Sequence, residues 1–219
     1  PPPPPFFFQP QDGIRDSSTS RGPEMCIRDS FQPGDRMVEH ELAKIFGFSR
    51  TPIREALHKL ETQSLLMRVG RSLVVASLDH TQLSDLYAVR TELESLAVAL
   101  AAQHATKEEI LLLQEMVDED VSLINDTSVL SKANNRFHKH LHLASHNKFL
   151  IQQLDLVHRS MVLMAKTSLA VPGRGPQAIR EHQLIVNAIS NRDSIKAREV
   201  LCDHLSVAFK SRLKEETIF

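Results

Sequence analysis

Apolar residues recur at helical spacing over most of this 219-residue chain, and they change to a strand rhythm in one short stretch only. Val38, Leu42 and Ile45 mark the inward face of a helix from Val38 to Phe46. Gly47 fits the left-handed residue that ends such a helix. A second helix is predicted from about Ser49 to Gln63, with Ile53, Ala56, Leu57 and Leu60 on its buried face. Ser49 or Thr51 caps it, and Pro52 fits the first turn, where a missing N–H costs nothing. Leu65 to Val69 and Ser72 to Ala76 are then two β-favouring runs. Gly70-Arg71 between them suits a two-residue hairpin turn with Gly at the first central position.

After a short linker, Ser77 to His80, every segment reads helical. The predicted spans are Thr81 to Gln103, Thr106 to Ile124, Val129 to Ser145, Lys148 to Ser168, Pro176 to Ser190 and Ser194 to Lys214. Thr106 with Glu109 three residues on forms a capping box. Val171-Pro172-Gly173-Arg174-Gly175-Pro176 is a break between helices. Helices joined by short loops make an antiparallel bundle. The expected fold is therefore mainly α: an N-terminal winged helix-turn-helix with a small β-hairpin wing, then an antiparallel all-α bundle of about six helices.

Composition adjusts this picture at one end. Residues 1–30 open on five prolines and three phenylalanines, and Ile-Arg-Asp-Ser occurs at 14–17 and again at 27–30. With no apolar periodicity, this segment reads as a sequence artefact or a disordered leader. The expected domains are 31–77, the winged helix-turn-helix, and 78–219, the bundle. Net charge is −1. Residues 31–77 carry seven Lys/Arg against five Asp/Glu, and residues 78–219 carry sixteen against eighteen, a small bias that favours DNA at the N-terminal part. Cys26 and Cys202 make no disulfide framework and no metal-knuckle spacing, and a reducing cytoplasmic setting is expected. No apolar run approaches the roughly 18 residues that span a bilayer.

Two places carry chemistry. Arg50 and Arg54 lie four apart at the start of the second helix, so they share a face. Two short helices, a tight turn and cations opening the second helix form helix-turn-helix geometry, in which that helix enters the major groove. The planar fork of arginine meets guanine O6 and N7 together. An ordinary surface helix with two solvated arginines satisfies the same pattern. Arg71, at the wing tip, reaches a phosphate or the minor groove, or is simply solvated.

In the bundle, His182 has apolar Ala178, Ile179, Ile185 and Val186 at helical-neighbour positions, and His204 has Val200, Leu201, Val207 and Ala208. Both therefore point inward. Asn134 and His138 lie one turn apart on one interior face. Arg90 falls within the stripe Leu83, Leu86, Leu93, Ala97 and Leu100. Three imidazoles from separate helices directed at one core make a metal site, with Zn, Ni, Fe or Cu as suitable ions and Asn or water oxygen completing the shell. Local hydrogen bonding of each His within the core is the alternative. Arg90 is a cationic partner for a bound carboxylate, or else forms an internal salt bridge to Glu94. His142 sits at the edge of the ligand face as a reserve candidate, while His140 and His146 fall on other faces.

Two resemblances sharpen these expectations. Pro33-Gly34-Asp35, Glu41-Leu42-Ala43 and Phe46-Gly47-Phe48-Ser49-Arg50-Thr51-Pro52-Ile53-Arg54-Glu55-Ala56-Leu57 resemble the winged helix-turn-helix of the GntR family of bacterial transcription regulators. The resemblance implies that Ser49, Arg50, Thr51 and Arg54 touch DNA. Members carry a first helix before the Pro-Gly turn, and residues 14–30 do not match it. The bundle resembles the FadR C-terminal ligand-binding domain type, FCD, through Val89-Arg90-Thr91-Glu92-Leu93-Glu94, Asn134-Asn135-Arg136-Phe137-His138, Glu181-His182-Gln183-Leu184-Ile185 and Asp203-His204-Leu205. It implies one divalent ion on Asn134, His138, His182 and His204, with Asn standing where Asp is usual. It also implies a carboxylate effector near that ion.

The expected function is a ligand-responsive regulator that binds a palindromic operator as a homodimer and senses a small organic acid. The rivals are a regulator whose bundle only dimerises, and a metallo-hydrolase with Glu181 as base. Against the hydrolase, Glu181 adjoins His182 and so points about 100° away around the helix.

Overall fold

The computed structural model describes residue 31 and residues 33–164 and 167–216. The reading of residues 1–30 as artefact or leader lies outside these. The chain divides into two compact units, the first ending at Asp79 and taking in Arg159–Ala165, the second comprising His80–His158 and Lys166–Phe219.

In the first unit, helix α1 (Glu39–Phe46) ends at Gly47, whose φ of 72° is the left-handed conformation expected there. Helix α2 (Arg50–Thr62) buries Ile53, Ala56, Leu57 and Leu60, as the spacing predicts. Ser49 occupies the N-cap position, but its side chain makes no capping bond. Strands β1 (Leu66–Val69) and β2 (Ser72–Val75) pair antiparallel with Val69 opposite Ser72, which leaves Gly70-Arg71 as the turn. Gly70 has a φ of 61°. Ile45 departs from expectation, for it is 62% exposed rather than inward. Three residues of helix fall roughly 60° short of a full turn and four overshoot by roughly 40°. Phe46 therefore packs with Leu42 against the core and Ile45 does not.

Among its described residues the second unit has helices and connecting turns but no strand. Its elements are α3 (His80–His104), α4 (Lys107–Asp120), α5 (Thr127–Leu143), α6 (Lys148–Ser160), α7 (Arg174–Ser190) and α8 (Ser194–Glu216). The Thr106–Glu109 capping box is present in both directions. Val98, Ala101, Phe137, Leu141, Ile185 and Leu201 belong to one buried apolar cluster drawn from α3, α5, α7 and α8. Alanines on α3 let the other helices approach closely.

Two boundaries differ from expectation. The helix expected from Lys148 to Ser168 stops at Ser160 and continues as 3₁₀ turns at Met161–Leu163 and Ser168–Ala170. The Thr167 hydroxyl accepts from the Leu169 N–H, a local bond that competes with helix. Helix α7 begins two residues before the expected Pro176, with Gly173 at φ 80° as its N-cap. A proline in the first turn lacks only an N–H that has no helical partner there. The earlier start brings Arg174 into the interior, where it is 3% exposed. Gly175 packs closely against α5, where a Cβ would meet Leu130 Cδ2 at 2.9 Å and make that side chain shift.

Asp120, the last residue of α4, is 1% exposed, and neither carboxylate oxygen has a hydrogen-bond partner. Burial pushes its carboxyl up to about 6, against the pull of Arg136. The negative end of the helix dipole also disfavours a carboxylate in this place. Its folded pKa lies above the unfolded value, so folding favours the protonated form and stability falls as pH rises through 6. Asp120→Asn is expected to exceed the parent by about 2–3 kcal/mol at neutral pH, with the gap closing towards about pH 4. Urea unfolding at the two pH values checks this; a gap that does not change with pH contradicts it.

Candidate metal centre and nucleic-acid interface

In the first unit the candidate DNA residues gather at the start of α2. Ser49, Arg50 and Thr51 are exposed there, and Arg71 is exposed at the hairpin turn. Arg54 is also exposed but engaged. Its Nε and Nη2 donate to Glu39 Oε1 and Oε2 at 2.9 and 3.0 Å. These hydrogen bonds hold the Glu39 carboxyl below its usual range, against a small effect of burial. Arg68 on β1 forks onto Glu61 in the same way, at 2.7 and 3.3 Å. An open groove runs between these groups, lined among others by Arg36, Glu39, Arg54, Arg68 and Arg71. Glu39 as a partner of Arg54 was not legible in the sequence, because the two lie fifteen positions apart on different helices.

In the second unit α5, α7 and α8 deliver His138, His182 and His204 to one buried point. One ring nitrogen from each lies within 4.8 Å of the others. His138 Nε2 is 3.2 Å from His204 Nε2. His182 stacks on Phe137 with ring centroids 4.1 Å apart and planes 16° apart. Although His182 is 1% exposed, neither of its ring nitrogens has a hydrogen-bond partner. Asn134 is half-buried one turn before His138 on α5.

Carboxylates back two of the three rings. His138 Nδ1 lies 2.9 Å from Glu94 Oε2, and Glu94 Oε1 accepts from Arg90 Nε at 2.5 Å. His142 Nε2 is 3.4 Å from the same Glu94 oxygen. On the other side, His204 Nδ1 lies 2.7 Å from Glu181 Oε2, which also faces Arg174 Nη1 at 2.8 Å. Arg90 is thus buried in the internal salt bridge that was one of its two readings, and its guanidinium carbon sits 5.3 Å over the Tyr87 ring.

Burial governs the proton balance. It pushes His182 and His204 well below the usual imidazole range, helped by neighbouring His138 and Arg174. His138 is also lowered by burial, although Glu94 opposes this. Burial alone would raise Glu94, but Arg90 and His138 outweigh it and hold that carboxyl well below its usual range. Glu181 is raised by burial against Arg174. Three neutral imidazoles beside ionised Glu94 are the protonation state in which histidine ligates a metal.

The residues fit a divalent ion. A buried imidazole with two orphaned nitrogens is costly in the core, and a metal bond relieves it. A second group, Glu94 with His138 and His142, also has ligand spacing. It suits an ion less well, because Glu94 already accepts from Arg90 and His138.

Sequence reasoning set Glu181 aside, since it points away from His182. The structure gives it a different role: His204 reaches Glu181 from α8, a contact between helices that the sequence did not reveal. Arg174 was missed because it was read as part of a loop. The spacing of Arg174, Ala178, Glu181 and His182, at four, seven and eight residues, was the available signal. His146, on another face as expected, lies 2.9 Å from Glu109 through Nε2.

Comparison with known proteins bears on both units. Residues 24–75 match the family described as bacterial regulatory proteins, gntR family, and residues 85–207 match the FCD domain. The HTH-type transcriptional regulator YdhC of Bacillus subtilis, itself uncharacterised, is 32% identical over 192 residues, 84% of each chain. The Nta operon transcriptional regulator of Aminobacter aminovorans is 36% identical over 130 residues, 58% of this chain and 62% of that one. Among solved structures, McbR/YncC of E. coli superposes with a TM-score of 0.76 at 22% identity, over 88% of this chain and 93% of the other.

Proposed function

This chain belongs to the GntR family of bacterial regulatory proteins and carries an FCD domain, and from that premise we propose that it senses a small carboxylate through a bound divalent ion. It is a DNA-binding transcription regulator and not an enzyme. The observation that carries the metal reading is His182, buried with both ring nitrogens unpartnered between His138 and His204. His138, His182 and His204 hold the ion, with Asn134 or water completing the shell. The ion would act as a Lewis acid towards an oxygen ligand.

Charge explains why that ligand is anionic. Arg90 with Glu94, and Arg174 with Glu181, cancel in pairs, and three neutral imidazoles add nothing. A bound dication would therefore leave two uncompensated positive charges in the core, which a carboxylate effector relieves. Arg90 is paired with Glu94, so its charge is already balanced and the ion itself is what the anion answers. Glu181, occupied by His204 and Arg174, is not available as a hydrolytic base. An effector alters DNA affinity only as far as it binds the DNA-competent state differently from the other.

Ser49, Arg50, Thr51 and Arg54 are the base- and phosphate-facing residues of α2, and Arg71 meets the backbone or minor groove from the wing. The protein acts in the cytoplasm as a homodimer on a palindromic operator, since two-fold proteins read two-fold sites. Among the described residues no helix is long and apolar enough to cross a membrane. Fluorescence anisotropy on a duplex selected from a random pool tests the DNA assignment. Arg54→Ala should weaken binding roughly 5- to 150-fold. Unchanged affinity removes Arg54 from the interface.

A further inference from the structure

We propose that Glu94 and Glu181 are positioning residues that fix the tautomers of His138 and His204, so that both Nε2 lone pairs face one cation seat beside His182. This rests on the metal reading above and adds the device that prepares the ligands. Two chains of the same chemistry converge from opposite sides. One is Arg90–Glu94–His138, joining α3 to α5, and the other is Arg174–Glu181–His204, joining α7 to α8.

The tautomers follow from what each partner can accept. An ionised carboxylate only accepts hydrogen bonds. A ring nitrogen 2.9 Å from Glu94 Oε2, or 2.7 Å from Glu181 Oε2, therefore carries the proton. In both rings that nitrogen is Nδ1. A neutral imidazole protonated on Nδ1 has its lone pair on Nε2. The two Nε2 atoms face each other at 3.2 Å. Two lone pairs at that distance repel, and a cation between them turns the repulsion into ligation.

Arg174 Nη2 also approaches His204 Nδ1, at 3.3 Å, and a donor there asks for a lone pair instead. The contact with Glu181 is shorter and charge-assisted, so it decides the tautomer. Arg174 keeps its ion pair with the Glu181 carboxylate and donates through Nη2 to the His204 carbonyl. Glu94, accepting from Arg90 and His138, is likewise an orienting group rather than a ligand. His182 has no such backing and is held by its stack on Phe137. Outer carboxylates of this kind set ring orientation and raise ligand basicity.

The test uses the full chain, with zinc(II) as the probe. Long-range ¹H–¹⁵N spectra of the imidazoles in metal-free protein at neutral pH should show a protonated Nδ1 in His138 and His204. Competition titration should show zinc bound about 10- to 100-fold more weakly by Glu94→Gln and by Glu181→Gln, since an amide can turn its NH₂ to the ring and reverse the tautomer. Glu181 lies at the partly exposed edge of the site, so its variant remains informative if Glu94→Gln unfolds. An unprotonated Nδ1 in either ring of the parent overturns the proposal. So does unchanged zinc affinity in a folded variant. If the parent takes up no zinc, the metal reading fails, and the Nδ1 signals alone judge the tautomer assignment.

Discussion

Replacing His182 with leucine is expected to abolish ion binding and, in the metal-free protein, to raise the melting temperature. The two effects have one cause. His182 is buried, flat against Phe137, with no hydrogen-bond partner for either ring nitrogen. Without an ion those nitrogens are buried and unpaired, a cost of about 1–3 kcal/mol that an apolar side chain of similar size removes. A gain of that size is roughly 3–10 °C in Tm for a chain of this length. With zinc at a hundred times its dissociation constant, the parent gains about 2.7 kcal/mol and the variant gains nothing. Elemental mass spectrometry on protein purified without a metal-affinity tag should find about one divalent ion per parent chain and none in the variant. A variant that keeps its ion, or that melts below the parent without metal, contradicts the assignment.

Glu94→Ala should be the most damaging single change in the bundle. It leaves the Arg90 guanidinium buried without its carboxylate and removes the acceptor of His138 Nδ1. Breaking a buried pair by deleting one partner costs about 3–5 kcal/mol, against a total stability of roughly 5–15 kcal/mol. The pH dependence has a definite sign. The Glu94 carboxyl titrates well below its ordinary value in the folded chain, because Arg90 and His138 outweigh the cost of its burial. Its contribution is therefore complete at neutral pH and is lost as pH falls below the unfolded pKa of about 4.3 towards the folded one. Urea unfolding of parent and variant should differ most at neutral pH and least in acid. A neutral-pH difference below about 1 kcal/mol would mean that Arg90 finds another partner.

Much of this architecture was legible in the residues themselves. The period-3.6 pattern located all of the described α-helices, and the one switch to a strand rhythm located the hairpin. The inward direction of His182 and His204 followed from their apolar neighbours three and four residues away, and that of His138 from the interior face it shares with Asn134 and Leu141. What periodicity could not reach was pairing between elements. Glu39 with Arg54, and Glu181 with His204, join different helices, and no local spacing encodes such a bond. Helix ends were also hard to read where side-chain oxygens compete with the backbone, as Thr167 does after α6. Arg174 was hidden for a related reason: the same Gly and Pro residues that signal a break also serve to start α7.

One adjacency on α7 has a mechanical meaning. Glu181 and His182 are consecutive, yet they serve different partners: His182 lies beside His138 and His204, at the proposed cation seat, while Glu181 holds His204. Neighbouring residues on a helix cannot turn independently, since each is about 100° from the next on one rigid screw. A rotation of α7 that swung His182 out of the seat would also pull Glu181 off His204. Two of the three imidazoles would lose their setting in the same movement. On the metal reading proposed above, a turn of this helix would cost the ion two of its three ligand settings together, so affinity would change as a latch rather than as a dial.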